Sequence, residues 1–128
     1  MLNELAKEIH RTAVEHGWWD DNRTFGDIIA LCHSELSEAL EEYRDGKPMA
    51  YFVRDHSVFP QYANDYADET DFTEYNGEKP EGIAVEMADC IIRILDWCGK
   101  ENIDIDQIIR IKHEYNKRRP YKHGGKIL

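Results

Sequence analysis

The segment Glu81–Cys98, EGIAVEMADCIIRILDWC, decides how this chain is read. Taken as a helix turning about 100° per residue, it carries apolar or small side chains around almost its whole barrel. These run from Ile83, Ala84 and Val85 through Met87, Cys90, Ile91, Ile92, Ile94 and Leu95 to Trp97 and Cys98. The polar residues Glu86, Asp89, Arg93 and Asp96 fall into one narrow stripe. A helix apolar nearly all round is generally buried, and a buried carboxylate is costly unless a cation compensates it. A second helix, Thr24–Tyr43, carries Glu35, Glu38 and Glu42 along one edge of its own apolar face. Two apolar helices, each with acids at i and i+3, point to a divalent cation in the core of a helical bundle.

Around this pair the pattern predicts an all-α, four-helix-bundle-like domain spanning residues 1–128, with a long insertion between helices two and three. Helix one covers Leu2–His16, with Leu2, Leu5, Ile9 and Ala13 on one face and Gly17 at its end. Helix two opens at Thr24, with Asp27 three residues on in the manner of a capping box, and stops at Asp45-Gly46. Helix three follows Pro80 and stops near Gly99; helix four opens at Asp104, with Gln107 three residues later, and fades before Pro120. The insertion, about residues 47–79, mixes aromatic residues with acids and lacks a sustained helical period. Partial order, as a short helix or hairpin, is expected there. A basic tail covers about residues 117–128, and its His123-Gly124-Gly125 stretch is expected to be mobile or ordered only by ligand.

Charge and cysteine usage narrow the function classes. The formal net charge is −10, from 26 acidic and 16 basic side chains, which disfavours binding of a nucleic acid polymer. The basic residues gather late: Arg110, Lys112, Lys117, Arg118, Arg119, Lys122 and Lys126 against the single acid Glu114. That run reads either as a solvated tail or as an anion clamp. Cys32, Cys90 and Cys98 form no CxxC and lie on apolar faces, which suits reduced thiols in the cytoplasm and argues against a zinc site. No apolar run approaches a membrane span.

Acid–x–x–acid pairs are common in so acidic a chain, so context carries the signal. Glu35/Glu38 and Glu86/Asp89 lie on the two most apolar helices, whereas Asp65/Asp68 and Glu101/Asp104 lie in loops or at termini. The competing structural readings are a solvated helix edge for Glu35 and Glu38, and a buried Asp89–Arg93 ion pair at i,i+4. All candidate ligands are oxygens, which suits Mg²⁺, with Mn²⁺ as a substitute. No Glu-x-x-His occurs, which disfavours a carboxylate-bridged di-iron protein. His33 reads as a partly buried core histidine. Trp18 and Trp19 either cap the bundle or offer a face to a nucleobase. More apolar helix face is present than one small bundle covers, so a homodimer or homotetramer is expected.

At these residues the chain resembles the MazG-like branch of the all-α nucleoside triphosphate pyrophosphatase superfamily. The family pattern Glu-x-x-Glu and Glu-x-x-Asp stands here as Glu35-Leu36-Ser37-Glu38 and Glu86-Met87-Ala88-Asp89. The stretches HSELSEALEEYRDGKP, KPEGIAVEMADCIIRILDWCG and KHEYNKRRPYKHGGKIL carry the likeness, which covers most of the chain outside residues 49–78. The resemblance implies a Mg²⁺-dependent hydrolase that converts (d)NTP to (d)NMP and pyrophosphate, often to clear unwanted nucleotides. By position, Glu35, Glu38, Glu86 and Asp89 would be metal ligands, with Glu38 first and Glu35 second as the group orienting water. Lys112, Asn116 and Arg119 would face the nucleotide or its phosphates. Arg93 would orient Asp89 or meet a phosphate. Trp19 and His10 stand where relatives that prefer deoxycytidine nucleotides build part of a base pocket. The departure from the family is the separation of the two acidic pairs, with 47 residues (39–85) between Glu38 and Glu86. Two alternatives stand beside this reading: a phosphoribosyl-ATP pyrophosphatase, and a non-catalytic acidic helical interaction module.

Overall fold

The computed structural model describes residues 1–53, 72–125 and 127. It is mostly helical, with one small two-stranded sheet. The order is α1 (Leu2–Glu15), α2 (Phe25–Arg44), β1 (Tyr51–Val53), β2 (Lys79–Glu81), α3 (Ile83–Lys100), α4 (Ile105–Lys117) and a single turn, α5 (Lys122–Gly125). Two compact units are formed, one from Met1–Asp21 with Leu95–Leu128 and the other from Asn22–Ile94. Helix α3 therefore contributes its first three turns to the Asn22–Ile94 unit and its end to the other.

In the Asn22–Ile94 unit the start of α2 follows its sequence signal. Thr24 Oγ1 accepts from the Asp27 amide and the Asp27 carboxylate accepts from the Thr24 amide, which closes the capping box. Ile28, Cys32, Glu35 and Ala39 form the buried side of the helix. Cys32 Sγ lies 3.9 Å from the Cys90 carbonyl of α3, where it donates a weak hydrogen bond. His33, the next residue, is exposed rather than partly buried, because one step of helical rotation turns it away from the Cys32 side.

Among the described residues, the sheet supplies order at the two ends of the insertion. Antiparallel pairs Tyr51↔Glu81, Phe52↔Pro80 and Val53↔Lys79 close a short ribbon. Tyr51 and Phe52 are buried, and Phe72 stacks on Phe52 at 4.6 Å between centroids. The Tyr51 hydroxyl donates to Glu42 at 2.9 Å and so ties the ribbon to the end of α2. Pro80 and Glu81 belong to this ribbon and not to the helix that the sequence pattern starts at Glu81. Gly82 makes the turn between them. Its φ is 123°, and a Cβ there would stand 2.4 Å from the Met49 carbonyl oxygen. The same carbonyl accepts from the Ala84 amide at 2.9 Å, seating the first turn of α3. Of the insertion's other residues, Phe59, Tyr62, Asp65, Tyr66, Asp68, Glu69 and Asp71 lie outside the described residues.

In the unit built from the two ends of the chain, the core is Ala6, Leu95 and Cys98, flanked by Leu2, Ile9, Trp97, Ile103 and Ile105. The buried line of α1 is thus Leu2, Ala6 and Ile9, and Leu5 is exposed. Small residues decide this: a Cβ on Gly99 would fall 2.4 Å from the Ala6 carbonyl oxygen, so α1 and the end of α3 meet almost backbone to backbone. The starts of α1 and α4 are laced together. Asp106 accepts from the Leu2 and Asn3 amides at 2.9 and 3.0 Å and from the Met1 ammonium at 2.9 Å. The Asn3 side chain returns the contact, accepting from the Asp106 amide and donating to Asp104. Asp104 caps α4 by accepting from Gln107, as its spacing predicts.

Candidate metal centre

Helices α2 and α3 bring their acidic pairs together. Glu35 is 7% exposed and is the one charged residue buried among the described residues. One carboxylate oxygen each from Glu35, Glu86 and Asp89 lie within 4.8 Å of one another. Glu38 lies close enough to bias the protonation of both Glu35 and Glu86. Both acidic pairs therefore converge, although 47 residues (39–85) separate them along the chain.

Arg93, one turn beyond Asp89, points into this group. Its Nε donates to Glu35 Oε1 at 2.7 Å, with only 21% of its side chain exposed and 9% of that of Glu35. An Arg93–Glu35 ion pair thus joins the helices, and the charge of Arg93 also acts on Asp89 one turn away. At that depth a matched pair is required: leaving either partner alone costs about 3–5 kcal/mol.

The electrostatics follow from crowding. Burial works to raise the Glu35 pKa, but the Arg93 hydrogen bond and those shared with Glu38 and Glu86 outweigh it and hold the group below the ordinary range. Burial pushes Glu86 up to about 7, helped by the hydrogen bond and charge of Glu38 and by the charge of Asp89. Asp89 is raised by burial and then by Glu35, against the opposing pull of Arg93 and Lys79. A set of carboxylates that must share protons to coexist is short of positive charge. Oxygen donors at this spacing could hold a hard divalent cation; Glu35, Glu86 and Asp89 would supply the gathered oxygens, with Glu38 beside them.

Lys79 is a site residue that sequence reasoning missed. It pairs with Glu81 at 2.9 Å, and Glu86 and Glu38 also act to keep it charged. Its sequence position inside the insertion gave no hint of this. Lys79 and Glu81 lie two apart on β2 and so share one face of the ribbon, just ahead of α3 and its acids.

The remaining expected residues lie in the other unit and form two groups there. His10 Nδ1 sits 2.8 Å from Asp96 Oδ1, and the Trp19 indole N–H donates to both Asp96 oxygens at 3.0 and 3.1 Å. The two rings meet edge to face at 5.7 Å, and Lys100 Nζ lies 5.3 Å from the Trp19 ring. Asp96 organises this group, and its sequence cue was its place in the polar stripe of α3. Lys112 and Arg119 both lie against the Tyr115 ring, at 4.9 and 5.7 Å, with Asn116 beside them at the end of α4. Lys112 and Asn116 are exposed and Arg119 is half-buried. No family model, curated protein or solved structure matches the chain.

Proposed function

We propose that this chain is a Mg²⁺-dependent nucleoside triphosphate pyrophosphohydrolase with a four-helix-bundle-like all-α pyrophosphatase fold, clearing unwanted (d)NTPs in the cytoplasm. The observation that supports it best is the meeting of Glu35 with Glu86 and Asp89 from the facing helix, their oxygens within 4.8 Å of one another and Glu38 beside them. An interaction module gains nothing from burying Glu35, or from crowding Glu86 among acids where burial and their charge push its pKa up to about 7.

A triphosphate carries about four negative charges, so these acids do not contact it unaided. When bound, Mg²⁺ supplies the positive charge that lets acids and triphosphate share the site, and it acidifies water. Glu38, the exposed member of the cluster, is placed to accept the proton of the attacking water. The water oxygen bonds to the α-phosphorus, the α–β anhydride bond breaks, and pyrophosphate leaves with the bonding electrons. Lys112 and Arg119 are the cations assigned to the departing phosphates, with Asn116 as a neutral donor. Trp19 and His10, held by Asp96, are assigned to the base.

The protein works as a homodimer or homotetramer in this reading. Ile29, Leu36 and Leu40 on α2, Met87, Ile91 and Ile94 on α3, and Ile108 and Ile111 on α4 all stand exposed. Apolar stripes of this extent call for a covering surface. Among the described residues no helix is long and apolar enough to cross a membrane, and Cys32, Cys90 and Cys98 are free and buried.

The test is pyrophosphate release from a panel of NTPs and dNTPs, with Mg²⁺ and with chelator. Metal-dependent release with a matching monophosphate is expected. Release confined to phosphoribosyl-ATP would move the assignment to that substrate, and no release together with no Mg²⁺ binding would overturn it.

A further inference from the structure

Arg93 occupies the chemistry that a cation would use. Its Nε takes Glu35 Oε1 at 2.7 Å, and Glu35 is one of the three residues whose oxygens gather within 4.8 Å. A guanidinium is always charged and weakly hydrated, so it persists as a partner for a buried carboxylate. It is also long, so it leaves Glu35 by rotation about its side-chain bonds without movement of α3. We propose that Arg93 is a built-in competitor for the metal centre: it holds Glu35 until a divalent cation displaces it, and the released guanidinium then meets the substrate's phosphates. This rests on the pyrophosphohydrolase reading and adds a rule for its order of assembly.

The consequence is thermodynamic coupling. A metal binding alone must both break the Arg93–Glu35 pair and tolerate a fixed positive charge beside it. A metal arriving with a triphosphate gives Arg93 a new anionic partner. Metal and nucleotide therefore strengthen each other's binding, by the same factor in both directions. The carboxylate cluster then holds a free divalent cation weakly.

The experiment is binding of Mn²⁺ alone, without nucleotide, to the full chain and to Arg93→Gln, followed by electron paramagnetic resonance. Gln keeps an N–H donor near Glu35 but carries no charge. Arg93→Gln is expected to bind Mn²⁺ about tenfold or more tightly than wild type, with Arg93→Lys close to wild type. Equal or weaker binding by Arg93→Gln, with clear binding by wild type, would overturn the competitor role and leave the metal centre standing. Absence of Mn²⁺ binding in both proteins would overturn the centre and the competitor together. A second readout needs no variant. The Arg93 Nε–H resonance of the wild-type protein should lose its hydrogen-bonded shift on titration with Mg²⁺, and a resonance unmoved at saturation contradicts displacement.

Discussion

Glu86 is the residue whose protonation ties the centre to pH. Its pKa of about 7 lies above the ordinary 4.5, so the folded chain holds this proton more tightly than the unfolded chain. The stability it contributes is fully present below about pH 4.5 and is lost as pH rises through about 7. In chelator, the Tm of wild type relative to Glu86→Gln should therefore fall across that window. Added Mg²⁺ should flatten the difference, because metal takes the deprotonated form and binds more tightly as pH rises. A wild-type profile parallel to that of the variant contradicts this assignment. Asp89→Asn and Glu38→Gln are expected to cut turnover roughly a thousandfold while the circular dichroism spectrum stays unchanged. The approach of the two acidic pairs was legible in the sequence because both lie on the two most apolar helices. Lys79 was not, since it depends on the pairing of the ribbon, and Asp96 showed only as a member of the polar stripe, without the ring nitrogens that reach it.

At the scale of elements, the start of α3 is the hinge of the design. The sequence pattern placed the helix from Glu81, and the ribbon β1–β2 takes Glu81 away from it. What remains is Gly82 pressed against Met49, which fixes where the first turn begins and thus where Glu86 points. Gly82→Ala combines a 2.4 Å clash with a positive φ and should cost roughly 2–4 kcal/mol. It should also weaken Mn²⁺ binding, because Glu86 lies one turn on. Unchanged denaturant midpoint and Mn²⁺ affinity would show that the turn does not set the site. Helix starts with side-chain caps, at Thr24 and Asp104, were readable from sequence to the residue. The buried line of α1 was misread because Ala6 and Gly99 are small. Hydrophobic periodicity weights Leu5 above Ala6, whereas close helix contact does the opposite.

For the whole molecule, the apolar surface is the open account. Helix α3 is apolar nearly all round, yet Met87, Ile91, Ile92 and Ile94 stand between 44% and 54% exposed on the isolated chain. Helix α4 has no buried residue among those described. Light scattering should therefore give at least a dimer, and Ile91→Glu should shift it toward monomer and lower the Tm. A wild-type monomer at micromolar concentration contradicts the self-association reading. The helical class followed from periodicity; the expected homodimer or homotetramer rests on the excess of apolar face, and periodicity alone does not say which copy covers which face. The central claim is a water attack at the α-phosphorus directed by the Glu35, Glu38, Glu86 and Asp89 cluster. The most direct test is hydrolysis of a deoxynucleoside triphosphate in ¹⁸O-water with Mg²⁺, with products resolved by mass spectrometry. The expected result is one heavy oxygen in the monophosphate and none in the pyrophosphate; label in the pyrophosphate, or turnover that persists in chelator, would contradict the account.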